Sequence, residues 1–300
     1  MKNNRTVGAG ILVLAVFVLS AVVRFVPVEA VANDVDPYLS VALLQLVVYA
    51  IPSIIYTRLR FGGRLTALRI RVPRMRHILF IISASLAIVC ASVLINYGMH
   101  RLLPETYKAS STAAQAAGTG GGVLGGLSAL VAFALIPAIC EEYLFRSVVC
   151  AEFECAGVGT AVFFSTALFA MSHFNLERLP VYLFCGAALV FVFYVTRSVI
   201  ASAIVHFAVN AVALFFENFI YKVVNRQSVV IFIFIAAAAF LVFSALALGE
   251  AERVYRSYAE DGIAAEYRIP KKDRVKVIEA LICPPVLACV VFFIVMCFVK

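Results

Sequence analysis

The chain has 300 residues, of which 64% are hydrophobic and 14% are charged. Soluble domains are roughly 45–50% apolar and about 25% charged, so this composition excludes an ordinary soluble domain, a disordered chain and a small disulfide-stapled scaffold. The net charge of +8 would suit a nucleic-acid-binding protein. However, the arginines concentrate between two apolar runs, where basic residues set the membrane orientation and contact anionic lipid headgroups. We therefore expect the lipid bilayer as a partner and no nucleic acid.

Long apolar runs predict the fold class. A membrane-spanning helix needs about 20 mostly apolar residues. We find eight or nine such runs, at 7–27, 39–56, 78–98, 124–148, 158–174, 180–196, 199–220, 229–248 and 278–299. The sequence predicts an all-α polytopic membrane bundle of eight or nine transmembrane helices, forming a single domain over 1–300. The first run is interpreted as an uncleaved span, because it is longer than the apolar region of a usual signal peptide.

The distribution of charge predicts the orientation. Residues 2–5, 57–77 and 249–277 are basic, whereas 29–37 carry three acidic residues and no basic one. Because basic loops face the cytoplasm, the N-terminus and the segments 57–77 and 249–277 are predicted to be cytoplasmic. The membrane would be the cell membrane in a bacterium or the endoplasmic reticulum in a eukaryote. The glycine-rich stretch 104–126 is either a flexible connector or a mobile gate.

Ionisable residues inside the predicted spans are the main functional clue, because such residues are costly in a bilayer. Glu142 and Arg146 are four residues apart on one predicted helix, the spacing of an ion pair on one face. Glu141 lies about 100° around that helix from Glu142, so it is available for chemistry. A structural charge cluster at a helix end is the alternative interpretation of this group.

Two histidines and an asparagine lie in later spans. His206 and Asn210 are four residues apart and share a helix face, where they could also act as interhelical hydrogen-bonding residues. Antiparallel packing of the fourth and fifth apolar runs would bring Glu141 and His173 to a similar depth. We predict that Glu141, His173, His206 and Asn210 line one cavity.

A carboxylate and two imidazoles in such a cavity suit the activation of water. Glutamate and histidine act as general bases, while asparagine and histidine donate hydrogen bonds to a developing oxyanion. The same glutamate and histidine set could instead hold zinc and leave one position open for water. The residues alone leave both possibilities open.

Three motifs then point to a family. The patterns E-E-x-x-x-R at 141–146, F-x-x-x-H at 169–173 and H-x-x-x-N at 206–210 occur in order on separate apolar runs. Together they resemble the CPBP intramembrane proteases, which include the CAAX prenyl endopeptidases and the bacteriocin-processing and self-immunity (Abi) proteins. The resemblance covers about residues 123–215, which would form the catalytic core.

The resemblance implies an endopeptidase that cleaves at or within the membrane. Glu141 with His173 would activate the attacking water, and His206 with Asn210 would stabilise the oxyanion. Supporting roles would fall to residues that hold the site or pack its wall, namely Glu142, Arg146 and Phe169. The substrate would be a peptide or protein, either prenylated or membrane-anchored.

The cofactor is left open by the resemblance. The family is often described as metalloproteases, yet its prenyl-protein members are similar to metal-free glutamate peptidases. The zinc signature H-E-x-x-H is absent from this sequence. We favour a metal-free enzyme over a zinc enzyme. If a metal is bound, its predicted ligands are Glu141, His173 and His206.

Two other classes remain as alternatives. A transporter would use intramembrane acids and histidines as a proton relay, and it would show repeats and interrupted helices in two matching halves. A non-catalytic scaffold with the same fold would lack a catalytic position. The sequence shows neither an obvious repeat nor a missing motif residue, which favours the protease.

Overall fold

The computed structural model describes residues 5–25, 36–62, 68–103, 122–224, 229–262 and 274–299. This part of the chain contains helices and no strand. In chain order the helices are α1 (Arg5–Phe25), α2 (Pro37–Phe61), α3 (Ile78–Leu102), α4 (Leu124–Ala156), α5 (Val158–Met171), α6 (Leu179–Thr196), α7 (Val199–Val224), α8 (Val229–Glu260), α9 (Arg274–Leu281) and α10 (Pro284–Phe298). Eight candidate spans are long and apolar enough to cross a membrane, which confirms the predicted polytopic all-α bundle.

Helix α5 is shorter than the helix that the apolar run 158–174 predicts. It has 14 residues and ends at Met171, which gives it a length of about 21 Å against a hydrocarbon core of about 30 Å. The helix stops because Phe174 adopts a left-handed backbone with φ 46°, and residues 172–178 turn the chain into α6. His173 therefore lies in an early turn inside the bundle, beside the start of α6.

Helix α8 is longer than predicted, because it continues from the apolar run 229–248 into the basic segment 249–277. Its buried side chains Ala247, Ala251, Val254 and Tyr258 recur every three or four residues, so one apolar face extends past the end of the apolar run. That face packs along α3 and the turn before it. Positions 263–273 of the predicted segment lie outside the described residues, as do 63–67 of the other basic segment and 104–121 of the glycine-rich stretch.

Helix α4 is irregular, and prolines explain where its irregularity starts. A π-helical segment at Val131–Leu135 precedes Pro137. Proline has no N–H to donate within a helix, and its ring crowds the preceding helical turn. A second π-helical segment, Tyr143–Val149, carries Arg146. Such wide turns occur often at functional sites. In α2 the same combination appears at Leu46–Ala50, ahead of Pro52.

The packing order places the motif helices together. Helix α4 packs against α7 and α5, α5 runs beside α6, and α7 also contacts α3 and α6. Helices α1 and α10 pack against each other at the flank of this group. The motif residues on α4, on the turn after α5 and on α7 thus face a common interior.

Candidate active site

The ion pair between Glu142 and Arg146 lies at the centre of the site. Arg146 Nη1 is 2.9 Å from Glu142 Oε1, and both side chains are fully buried. Arg146 Nη2 also donates a hydrogen bond to the carbonyl of Gly186 at 3.1 Å, and its guanidinium lies 4.4 Å from the Phe169 ring centroid. The predicted pair within α4 is present, and the arginine also links α4 to α6.

Glu142 also orients His206 across the helix interface. His206 Nδ1 is 3.0 Å from Glu142 Oε1, and Ser202 Oγ donates a hydrogen bond to Oε2. Because a carboxylate only accepts hydrogen bonds, Nδ1 of His206 carries the proton. The histidine therefore presents Nε2 away from Glu142. Ser202, His206 and Asn210 form one row at four-residue spacing on α7, but that spacing gave no sign that Ser202 contacts Glu142.

His173 is fixed by backbone and aromatic contacts. Its Nδ1 is 3.0 Å from the carbonyl oxygen of Phe169, so Nδ1 donates and Nε2 is left as the basic nitrogen of the neutral ring. The ring stacks on Tyr182, with centroids 3.9 Å apart, and meets the edge of Phe169 at 5.1 Å. Tyr182 lies on α6, and no motif or spacing in the sequence pointed to it.

A close approach of two helices makes this stacking possible. A Cβ atom added at Gly186 would lie 3.1 Å from the Phe169 ring and 3.3 Å from the carbonyl oxygen of Thr166. Glycine at this position therefore lets α6 pack against α5 without a side chain between them. The contact brings Tyr182 of α6 beside His173.

Three of the four predicted catalytic residues line one cavity. His173, His206 and Asn210 share a cavity of about 190 Å³ with Phe169 and with one face of α3. By this measure a single water needs about 10–15 Å³, so the cavity has room for several waters or a short peptide segment. A general base, oxyanion donors and a substrate could meet there.

Glu141 does not line that cavity, whereas the sequence predicted that it would. The side chain is 6% exposed, and its Oε2 has no hydrogen-bond partner among the described residues. It interacts electrostatically with His206 and with Tyr49 of α2. The rotation of about 100° between neighbouring helix positions turns Glu141 towards α2, while Glu142 faces α7.

The predicted zinc ligands are not assembled as a metal site. Within the described ranges, no group of three or more histidine, cysteine, aspartate or glutamate side chains is placed to hold a metal ion. Nδ1 of His173 contacts a backbone carbonyl and Nδ1 of His206 contacts Glu142. Each histidine could offer a metal its Nε2, and an Nδ1–H held by a carbonyl or a carboxylate is also the usual arrangement of a metal-ligating histidine. The histidine contacts therefore do not distinguish a metal-free site from a zinc site.

Comparison with known proteins agrees with the three motifs. Residues 124–212 match the family model described as Type II CAAX prenyl endopeptidase Rce1-like. No curated protein and no solved structure matches the chain. The matched segment begins with α4 and ends within α7, so it contains every motif residue discussed above. Residues 124–212 are thus similar to the CAAX prenyl endopeptidases, the family to which the three motifs point.

Proposed function

We propose that this protein is a membrane-embedded endopeptidase that hydrolyses a peptide bond of a membrane-anchored protein, prenylated substrates included. The observation that carries the proposal is the shared cavity of His173 and His206. Both rings are held at Nδ1 by hydrogen-bond acceptors. Each ring therefore has a defined orientation and a defined Nε2, the preorganisation that acid–base catalysis requires.

His173 is the proposed general base. Its Nδ1–H is used by the Phe169 carbonyl, so the Nε2 lone pair can take a proton from a water that attacks the scissile carbonyl. The same nitrogen can then return the proton to the leaving amine. Glu141 is the proposed second base, because it is a buried carboxylate that interacts electrostatically with His206 and whose Oε2 has no hydrogen-bond partner among the described residues. To hold and deprotonate the water, its side chain would have to turn from α2 towards the cavity.

His206 and Asn210 are the proposed oxyanion donors. With its Nδ1–H donated to Glu142, His206 in its imidazolium form would donate the Nε2–H to the developing oxyanion. The Asn210 side chain lies one helical turn further along α7 and lines the same cavity. Arg146 holds Glu142 in place and neutralises it.

The experiment combines purified protein in detergent with prenylated and non-prenylated membrane-anchored peptides, with and without a chelator. We expect cleavage that is lost in Glu141→Ala and His173→Ala, with no acyl adduct in the intact mass of the protein. A trapped acyl group on a serine, or cleavage that survives both substitutions, would contradict the proposal. If a chelator abolishes cleavage and zinc restores it, the protein is still a protease, but Glu141, His173 and His206 become metal ligands.

A further inference from the structure

The two histidines of the cavity are held in different ways. His206 lies within α7, and its Nδ1 contacts the carboxylate of Glu142 on α4 at 3.0 Å. His173 lies in the turn after α5, and its Nδ1 contacts the carbonyl oxygen of Phe169 at 3.0 Å and Ser172 Oγ at 3.4 Å. Both of these partners come from the same stretch of chain as His173. These contacts therefore anchor the ring to its own segment and do not tie it to another helix.

A hydrogen bond at Nδ1 does not by itself fix the direction of Nε2. The torsion that turns a histidine ring about its Cβ–Cγ bond is broad rather than confined to narrow wells. Hydrogen bonds to a carbonyl oxygen also tolerate a broad range of directions. The His173 ring can therefore rotate while it keeps its bond to Phe169, unless a further contact fixes its plane. Such rotation matters for catalysis, because a reacting group misplaced by about 1 Å can cost about 100-fold in rate.

The ring of Tyr182 supplies a contact of this kind from α6. Its plane lies 22° from that of the His173 ring, with the two centroids 3.9 Å apart. On another side, Phe169 meets the His173 ring at an interplanar angle of 67° and a centroid distance of 5.1 Å. Rotation of the imidazole about its Cβ–Cγ bond would drive its edge into the stacked phenol ring. Tyr182 therefore fixes the plane of His173, and both side chains line the cavity.

The helix that carries Tyr182 is itself fixed one turn further along. Tyr182 and Gly186 are four residues apart and share a face of α6. At Gly186, α6 approaches α5 so closely that an added Cβ would lie 3.1 Å from the Phe169 ring. The Gly186 carbonyl also accepts a hydrogen bond from Arg146 Nη2 at 3.1 Å. The motif arginine of α4 and the close packing on α5 thus hold α6 where the Tyr182 ring meets His173.

We propose that Tyr182 is the positioning residue of the general base: its aromatic face holds the His173 imidazole so that Nε2 points into the cavity. The inference rests on the proposed function, because it concerns the same site. Tyr182 acts through His173 and transfers no proton itself. Since the flat ring does the work, phenylalanine should replace tyrosine at this position, whereas an aliphatic side chain should not.

Nitrogen NMR tests the contact without requiring cleavage. The protein is labelled with nitrogen-15 at its four histidines and purified in detergent, and the His173 signals are identified by their loss in His173→Ala. Tyr182→Leu is compared with Tyr182→Phe and with Phe184→Leu, a matched change on α6 at a ring that contacts Phe240 of α8. We expect His173 to show one Nδ1–H tautomer in the wild type, in Tyr182→Phe and in Phe184→Leu. In Tyr182→Leu its two nitrogens should average between tautomers.

Cleavage of a membrane-anchored peptide completes the test. We expect kcat of Tyr182→Leu to fall by about 100-fold with little change in KM, while Tyr182→Phe and Phe184→Leu stay near the wild type. An unchanged His173 signal or a wild-type kcat in folded Tyr182→Leu would overturn the proposal, as would an equal loss in Tyr182→Phe. Tyr182→Met replaces Tyr182→Leu if that variant aggregates. If the spectra are as expected but the wild type cuts no peptide, the positioning of His173 stands and the protease function fails.

Discussion

The basic end and the catalytic cavity use charge in different ways. At the basic end, the end of the bundle where Arg60 and Arg69 lie, carboxylates are paired with arginines: the buried Glu152 with Arg60, and Glu154, whose side chain is 19% exposed, with Arg69. In the cavity region, the pair of Glu142 and Arg146 instead holds His206, which lines the cavity. Charge at the basic end holds helices together, whereas charge at the cavity orients groups that keep unused hydrogen-bonding capacity. This difference separates the structural positions from the proposed catalytic ones.

The largest stability effect is expected from Glu142→Gln. The change leaves Arg146 as a buried cation without its counter-charge, and breaking a buried pair costs about 3–5 kcal/mol. Glu141→Gln is the matched control, because its Oε2 makes no hydrogen bond to the described residues. Thermal unfolding in detergent should show a large loss for the first variant and a small one for the second. Equal losses would contradict the division of roles between the two glutamates.

Asn210→Ala should lower kcat by about 100- to 1000-fold with little change in melting temperature, the usual effect of removing one oxyanion donor. Cys185→Ala serves as the control, since Cys185 lines the same cavity but has no proposed role in the reaction. Steady-state cleavage of a membrane-anchored peptide measures both. A similar kcat for the two variants would remove Asn210 from the oxyanion site.

At the basic end, Arg69→Gln should act on stability alone. The substitution removes the two hydrogen bonds from Arg69 to Glu154, a partly buried carboxylate that keeps its bond from Tyr194. A hydrogen bond to a charged group contributes about 1.5–3 kcal/mol, and partial exposure of Glu154 lowers that contribution. The melting temperature should fall while kcat of the folded fraction stays at the wild-type value. A fall in kcat at unchanged stability would show that the two regions are coupled.

The smallest effect is expected at the exposed pair of α8. Arg256 and Glu252 form an ion pair in which both side chains are largely exposed, at 72% and 64%. Such surface pairs contribute about 0–1 kcal/mol. Arg256→Gln should therefore leave both melting temperature and kcat near the wild-type values. A clear loss of stability would mean that exposure is a poor guide to structural importance in this bundle.

The sequence was sufficient for features that depend on spacing along one helix. Apolar runs predicted the spans, and the separation of four residues predicted the pair of Glu142 and Arg146. Features that depend on contacts between helices could not be predicted in this way. The bond from His206 to Glu142 and the stacking of Tyr182 on His173 depend on how α4, α6 and α7 rotate against one another.

Hydropathy did not predict the early end of α5. Apolar composition continues to residue 174, so hydropathy gives no sign that the helix stops at Met171. The stop depends on the left-handed backbone of Phe174, whose ring packs on Phe17 and Phe292 from α1 and α10. Tertiary packing therefore decides the position of His173, and composition alone cannot reveal it.

The most direct test of the central claim is the kcat of His173→Ala in folded protein. Removal of a general base typically costs about 100- to 10,000-fold in rate. His173 contributes its Nδ1 only to the Phe169 carbonyl and a weak contact with Ser172, so the variant should remain folded. We predict that kcat of His173→Ala falls by about that factor while its melting temperature stays close to the wild-type value. Wild-type cleavage by folded His173→Ala would contradict the account.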